Sequence, residues 1–441
     1  MKNNDILRLP SLAVDQVEED EHGYYITAAA VNRMASCPEC GRKSLKKNGT
    51  RPQLFNDCPI HGKQVILNIV RGRYLCKACG KTSHEEIADL SKSRRMTKRL
   101  VSYVQKKAIS HTFADVASET GINEKTVRNI FNDYVPLLEK QHKPETPRWM
   151  GIDEIHIIRK PRGIITNVEQ RTVVDVLPNR NKALIKTYFK NMKHRHRIRY
   201  VAMDMWPPYR DAVRDMLPQA TVIVDKFHVV RMANLAMEKV RKALREKLTP
   251  SQRRALKHDK KVLRKRLHDL TDEEYLLFSG WVRNYPELAQ AHVLKEGFFA
   301  LWDSPTRSAA EQAYEKWKAD VPQELMPYFH PILRAMGNWH HEIFNYFDHR
   351  ITNAYTESLN NLIRVMHRMG RGYSFEALRT RILFSEGIQK TRVKTSARAR
   401  RRADESTHCF ESTLFTIEEE KIFNYGADIE KLIQLIKETN S

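Results

Sequence analysis

Two C-x-x-C pairs, "CPECG" at Cys37 and Cys40 and "CKACG" at Cys76 and Cys79, constrain the start of this chain more than any other feature. Each pair folds into a knuckle whose backbone N–H groups point at the thiolates, and four sulfurs complete a tetrahedron. One structural Zn²⁺ on Cys37, Cys40, Cys76 and Cys79 is expected. Such a closed site leaves no open position for catalysis. Cys58 and His61, in "CPIHG", form a rival pair near an expected turn, and Cys409 stands alone. "GYYITAAAV", "QVILNIV" and "GRYLC" read as strands, the last two joined by a tight turn at Arg71–Gly72. A zinc-binding β domain over residues 1–90 follows.

Residues 91–140 switch to a helical period. In "TFADVASETGINEKTVRNIFNDYV", Phe113, Val116 and Ala117 line one short helix. Gly121 suits a left-handed turn, and Asn123 can cap the next helix. Val127, Ile130 and Phe131 then face inward. The spacing reads as a helix-turn-helix that aims Lys125, Thr126 and Arg128 at a major groove. "QHKPETPR" reads as a linker.

The net charge is +23 and the pI about 9.7. An excess of that size points to a polyanion partner, double-stranded DNA. No run of about 18 apolar residues is present, which excludes a spanning helix. The opening "MKNNDILRLP" lacks the apolar core of a signal peptide. A cytoplasmic, nucleoid-associated protein with no membrane partner is expected, and its six cysteines are not a disulfide framework.

From 149 to 245 strands and helices alternate: a three-stranded meander, then strands separated by helices. The first strand, "GIDEIHII", holds an acid pair in its middle, where strands disfavour acids. A buried carboxylate is costly unless neutralised, and a divalent cation neutralises it. Further acids sit at element ends: Asp204 closes "RYVAMD", Asp225 closes "TVIVD", and Glu357 lies in the first turn of "TESLNNLIRVMHRM". Three such carboxylates can hold two Mg²⁺, which activate a water or a 3′-hydroxyl and stabilise the leaving oxygen of an in-line phosphoryl displacement. Glu154 points away from Asp153 and is structural in this reading. Residues 246–345 look helical, with the tryptophans as core; 346–392 carry the Glu357 helix, and 393–441 a basic and helical tail.

These blocks, in this order, resemble the ISL-three family of bacterial insertion-sequence transposases over nearly the whole chain. "CPECG…CKACG" resembles the family's zinc domain and "FADVASETGINEKTVRNIF" its helix-turn-helix. "GIDEIHI" resembles its first catalytic strand, "VIVDKFHVVRMAN" its D-x-F-H block and "TNAYTESLNNLIRVMHRMGRGYSFEALRTRIL" its late block. The resemblance implies an RNase H-like core of DDE type, interrupted by the helical stretch as an insertion domain. It makes Asp153 the first acid and Glu357 the last. Asp204 is taken as the second metal ligand, with Asp225 and His228 as near-site support, although Asp225 competes for that place. Arg364, Arg368 and Arg371 are expected on scissile-strand phosphates. The implied activity is Mg²⁺-dependent cleavage and strand transfer at terminal inverted repeats, by a homodimer or larger assembly. A non-catalytic, domesticated DNA-binding regulator is the alternative, and a nuclease without strand joining a third reading.

Overall fold

The computed structural model describes residues 7–141 and 144–387. Cys409 and the tail lie outside the described residues. The chain opens with the strands β1 (Leu12–Glu19), β2 (Gly23–Ala30), β3 (Leu45–Ile60), β4 (Lys63–Cys76) and β5 (Thr82–His84). They form one sheet in the order β1-β2-β4-β3, with β5 on β4. Its core is Ile26, Leu67 and Ile69, alternate residues of β2 and β4 that turn to one face.

The expected turn at Arg71–Gly72 is not there. β4 runs unbroken, and Gly72 pairs with Thr50 across the ladder. This glycine serves a close approach instead. A Cβ would lie 2.7 Å from Glu85 Oε1, and the Gly72 N–H donates to Glu85 Oε2 at 2.8 Å. The true hairpin turn is His61–Gly62, both at positive φ (51° and 79°), the requirement of a two-residue turn matched to strand twist.

Helices α1 (Lys98–Ser110), α2 (Phe113–Thr120) and α3 (Glu124–Gln141) follow. Thr112 caps α2 through a reciprocal box with Asp115, and Gly121 ends it at φ 71°. Asn123 Oδ1 accepts from Lys125 N at 2.8 Å to start α3. Phe113, Val116, Val127, Ile130 and Phe131 are buried as the spacing predicts, each worth about 1.5–3 kcal/mol of transfer free energy. They do not form a core of their own. The same cluster takes in Ile155, Ile164 and Val176 from the sheet described next, together with Leu359 and Ile363.

That second sheet comprises β6 (Trp149–Ile157), β7 (Lys160–Asn167), β8 (Thr172–Leu177), β9 (Tyr200–Met203) and β10 (Thr221–Val224), in the order β10-β9-β6-β7-β8. β6, β7 and β8 form the antiparallel meander; β9 and β10 add in parallel. Helices α4 (Lys182–Asn191) and α5 (Pro207–Met216) separate the later strands and share a core with Met150, Ile152 and Met203. After β10 come α6 (Lys226–Leu244), α7 (Pro250–His258), α8 (Asp272–Asn284), α9 (Pro286–Leu301), α10 (Arg307–Ala319), α11 (Met326–Asn338) and α12 (His340–His349). Among the described residues no strand follows β10. Trp302, Trp317 and Trp339 are core in this helical region, as expected, and Trp281 is half-buried.

Finally α13 (Ala354–Met369) and α14 (Phe375–Ile382) return to the sheet. α14 also ties down the three-helix unit. The buried Arg381 donates through Nη1 to Ala108 O at 3.0 Å and Tyr373 Oη at 2.6 Å. Arg379 bridges Glu139 of α3 and Asp175 of β8, both at 2.8 Å.

α13 meets β6 at a glycine. A Cβ on Gly151 would lie 2.3 Å from Thr166 Oγ1, 2.5 Å from Asn353 Oδ1 and 2.6 Å from Thr356 Oγ1. Thr166 and Thr356 join their hydroxyls at 2.7 Å, and Asn353 Nδ2 donates to Ile152 O at 3.2 Å. Gly151→Ala is expected to destabilise by roughly 1–3 kcal/mol, the range of an overpacked core. A denaturant melt checks it; an unchanged midpoint contradicts this account of the contact.

Candidate functional site

The parallel register assembles the acids. Ile152 pairs with Met203, and Met203 with Val224. Asp153, Asp204 and Asp225 are the next residue on each of three neighbouring strands, which lie about 4.8 Å apart. Asp225 N donates to Met203 O at 2.9 Å. The acids thus share the carboxyl edge of the parallel strands, where open α/β sheets offer a crevice.

α13 supplies the rest. Glu357 lies in its first turn. Asn360, one turn on, donates through Nδ2 to Asp153 Oδ2 at 2.6 Å. His228, in the first turn of α6, stands among the carboxylates. Its Nε2 is 2.9 Å from Asp204 Oδ2, and its Nδ1 is 3.7 Å from Glu357 Oε1 and 4.0 Å from Asp225 Oδ2. A cleft of about 470 Å³ opens here, lined by Asp153, Asp204, His228, Glu357, Arg231 and Arg364, among others.

The electrostatics follow from this crowding. Burial, with Asp204 alongside, pushes the Asp153 carboxyl up to about 8. Burial likewise raises Asp225 to about 6, against the pull of the Phe227 N–H. Burial alone would lower His228, yet the hydrogen bond and charge of Asp204 lift it above its ordinary value. In this arrangement His228 partly neutralises the acids. A cation reverses that balance by favouring the charged carboxylates.

The donor set fits a divalent cation. Asp204 Oδ1, Asp225 Oδ2 and His228 Nδ1 are buried without a hydrogen-bond partner, an arrangement that costs free energy unless something else pairs with them. One ligand atom each from Asp225, His228 and Glu357 lie within 4.8 Å of one another. Asp153, Asp204 and Glu357 do not close to that spacing among the described residues, with His228 standing between them. Asp225 is fully buried and also caps α6 through Phe227 N at 3.3 Å.

Glu154 points away from Asp153, to an ion pair with Arg180. The Arg180 guanidinium sits 4.4 Å from the centre of the Trp206 ring, so Glu154 still borders the cleft. Tyr209 Oη is 3.4 Å from Asp153 O. Arg364 lines the cleft and donates to Asn361; Arg368 and Arg371 are exposed beyond it. Lys125 is exposed on α3 and Thr126 half-buried. Arg128 is half-buried and held within the chain: it donates to Glu124 Oε1 at 2.9 Å and to Gly372 O at 3.0 Å.

Asn360 was not among the residues expected here. A neutral amide draws no notice alone, but Asn353, Thr356, Glu357 and Asn360 recur at i, i+3, i+4 and i+7 on one helical face. Asn360→Ala is expected to lower any Asp153-dependent DNA cleavage by about 10–100-fold, the usual loss on removing a group that orients a ligand. Cleavage at the unmodified rate would contradict this role.

At the other centre, the four cysteines converge. Cys37 and Cys79 sulfurs are 3.8 Å apart, and those of Cys40 and Cys76 are 3.6 Å apart. A tetrahedron with Zn–S of about 2.3 Å has edges of about 3.8 Å. The knuckles match each other: Gly41 N donates to Cys37 O at 2.8 Å and Gly80 N to Cys76 O at 2.9 Å, with φ of 72° and 70°. The backbone N–H groups of Cys79 and Ala78 help draw the Cys76 thiol down to about 7, toward the thiolate that metal needs. Cys58 and His61 lie elsewhere, at the β3–β4 turn. His61 Nδ1 is 2.9 Å from Tyr24 Oη, and burial raises Cys58 to about 11.

Comparison with known proteins finds three matches along the chain. Residues 33–79 match the zinc-finger of transposase IS204/IS1001/IS1096/IS1165, and residues 86–135 the helix-turn-helix domain of transposase family ISL3. Residues 150–382 match the family's transposase model. The zinc ribbon, the helix-turn-helix and the acid-bearing sheet therefore mark a transposase. The chain belongs to the ISL3 family. It is 23% identical over 346 residues to the transposase for insertion sequence element IS1001 of Bordetella parapertussis, covering 76% of this chain and 85% of that one. It is 24% identical over 253 residues to the transposase for IS1557 of Mycobacterium tuberculosis, 51% of this chain and 57% of the relative. Among the described residues no helix is long and apolar enough to cross a membrane.

Proposed function

We propose that the chain cuts and joins DNA at the ends of an insertion sequence, with an RNase H-like core of DDE type. The observation that carries this reading is the register of β6, β9 and β10, which sets Asp153, Asp204 and Asp225 side by side, with Glu357 of α13 approaching His228 among them. The strand order, an antiparallel meander extended by two parallel strands, agrees with that core. Residues 246–345, which hold α7 to α11 and the start of α12, are then an insertion domain before α13.

Asp153, Asp204 and Glu357 would hold the cations, two Mg²⁺ by the chemistry of oxygen donors around phosphate, and Asp225, whose carboxylate already lies at metal spacing from Glu357, competes with Asp204 for the second place. When bound, such a pair supplies charge that activates a hydroxyl nucleophile and stabilises the leaving oxygen of an in-line displacement. Asn360 orients Asp153, and His228 fixes Asp204. Asp225 anchors α6, and so positions His228. Arg231 and Arg364 stand at the cleft wall, where a guanidinium fork suits a DNA phosphate. α3 would read the terminal inverted repeats, and the domain boundaries follow the division given above. Synapsis of two ends calls for at least two copies of the chain.

Purified protein, Mg²⁺ and a plasmid bearing the element's ends test the proposal. Expected products are nicks with free 3′-hydroxyls, then joined strands. Binding to the ends without any strand breakage would overturn it in favour of a regulator; breakage without joining would leave a nuclease.

A further inference from the structure

The sheet edge opposite the acids carries a different chemistry. β9 is entered through Lys193, His194, Arg195, His196, Arg197, Ile198 and Arg199. Only Ile198 is buried; the other six side chains are exposed. The backbone beneath them is fixed. His194 sits in the left-handed region at φ 52°, and Arg195–Arg197 makes one 3₁₀ turn. Gln219 Nε2 donates to the carbonyls of Arg195 and Ile198 at 3.0 and 3.3 Å. Arg199 N donates to Arg148 O at 2.9 Å, so the exposed Arg148, which leads into β6, joins the group.

No carboxylate among the described residues lies within ion-pair distance of Lys193, Arg195, Arg197, Arg199 or Arg148. Elsewhere many surface cations are paired: Lys63 with Glu19, Lys81 with Glu39, Lys247 with Glu287. Five permanent charges on a stiff platform repel one another, a cost that a polyanion removes. Beside them lies a cleft of about 420 Å³, lined by Arg148, Arg197, Arg199 and His196 with the amides of Asn167 and Gln170. Glu145 and Glu169 also border it without pairing to these arginines. Guanidinium forks with neutral donors suit phosphodiester oxygens.

We propose that this platform is a second DNA surface, which grips the phosphates of a duplex without reading its sequence. Arg199 and Asp204 flank the four residues of β9, five residue steps apart, roughly 16 Å at about 3.3 Å per step. The phosphates held here therefore lie about five base pairs, at roughly 3.4 Å each, from those at the acids. Arginines are suited to the backbone contacts that position a duplex.

The test uses the full chain and fluorescence anisotropy with a duplex of arbitrary sequence lacking the element's ends, over a salt series. Arg195→Ser, Arg197→Ser and Arg199→Ser together are expected to weaken binding by about tenfold or more at low salt. The slope of log K against log salt should flatten by about 0.9 per lost phosphate contact, so by about 3 for the triple variant. The matching Arg→Lys triple should restore most of the slope. Should the Ser triple fail to fold, Arg148→Ser with Lys193→Ser asks the same question, with an expected flattening of about 2. Unchanged affinity and slope in a folded variant would overturn the proposal. So would a loss confined to duplex RNA or to polyglutamate offered as competitors. Asp153→Asn should keep the full salt slope while losing cleavage, so failure of the catalytic reading and failure of this one give different results.

Discussion

Asp153→Asn, or Glu357→Gln, is expected to reduce strand cleavage by at least about 10³-fold, some 4 kcal/mol of transition-state stabilisation, while binding to the element's ends stays as it was. The amides keep the size of the acids and remove the charge that would hold cations. Asn in place of Asp153 also removes the like charge that Asp204 opposes, so the fold should tolerate it. The helix-turn-helix lies on other elements, and its contacts with DNA are not altered. Gel shifts and cleavage assays on the same DNA give both readouts. Cleavage retained by either variant would remove that residue from the site. Asp204→Asn should lose cleavage to a similar degree. Asp225→Asn should lose far less, because asparagine caps a helix nearly as well and a buried charge is relieved. The reverse pattern would exchange the roles of the two residues.

The second large effect is on the zinc ribbon. In Cys76→Ser, bound zinc is expected to fall from one per chain to none. The half of the β3–β4 hairpin next to the cysteines should then open. Residues 46–52 of β3 are all exposed, so no apolar core holds them. The ladder, the Glu85 contact with Gly72 and the metal clasp do. Structural zinc contributes about 10 kcal/mol or more where a small fold depends on it. Amide exchange there should accelerate by at least about 10³-fold, equivalent to some 4 kcal/mol of local stability. The half built on Ile26, Leu67 and Ile69 should keep its protection, since its apolar core does not involve the cysteines. Protection that survives in the distal half without metal would show the clasp to be dispensable.

Local chemistry was the legible part of the sequence. Each C-x-x-C-G knuckle is complete within five residues, and Gly121 marks its turn by its own conformational freedom. Asp153 was visible because an acid in a strand violates the local pattern. What the sequence could not display were partners set by tertiary contact. Arg128 has the position of a groove-facing residue, yet it binds the carbonyl of Gly372, 244 residues away. Gly72 looked like a turn because its real neighbour, the Glu85 carboxylate, arrives from another strand. Asn360 and Gly151 escaped for the same reason: one orients Asp153 and the other lets α13 approach, and neither carries a reactive group. The spacing of Asp204, Asp225 and His228 offered two candidates for one role, and both lie at the edge where the acids meet.

The helix-turn-helix and the acid-bearing sheet share one hydrophobic cluster, and the buried Arg381 ties the two together. They are not beads on a tether. If α3 engages a repeat, the separation between the bases it touches and the phosphate at Asp153 is built into the body of the protein like the gap in a caliper. The position of the cut, counted in base pairs from the recognised sequence, then becomes a constant of the fold rather than something the DNA must encode at the break.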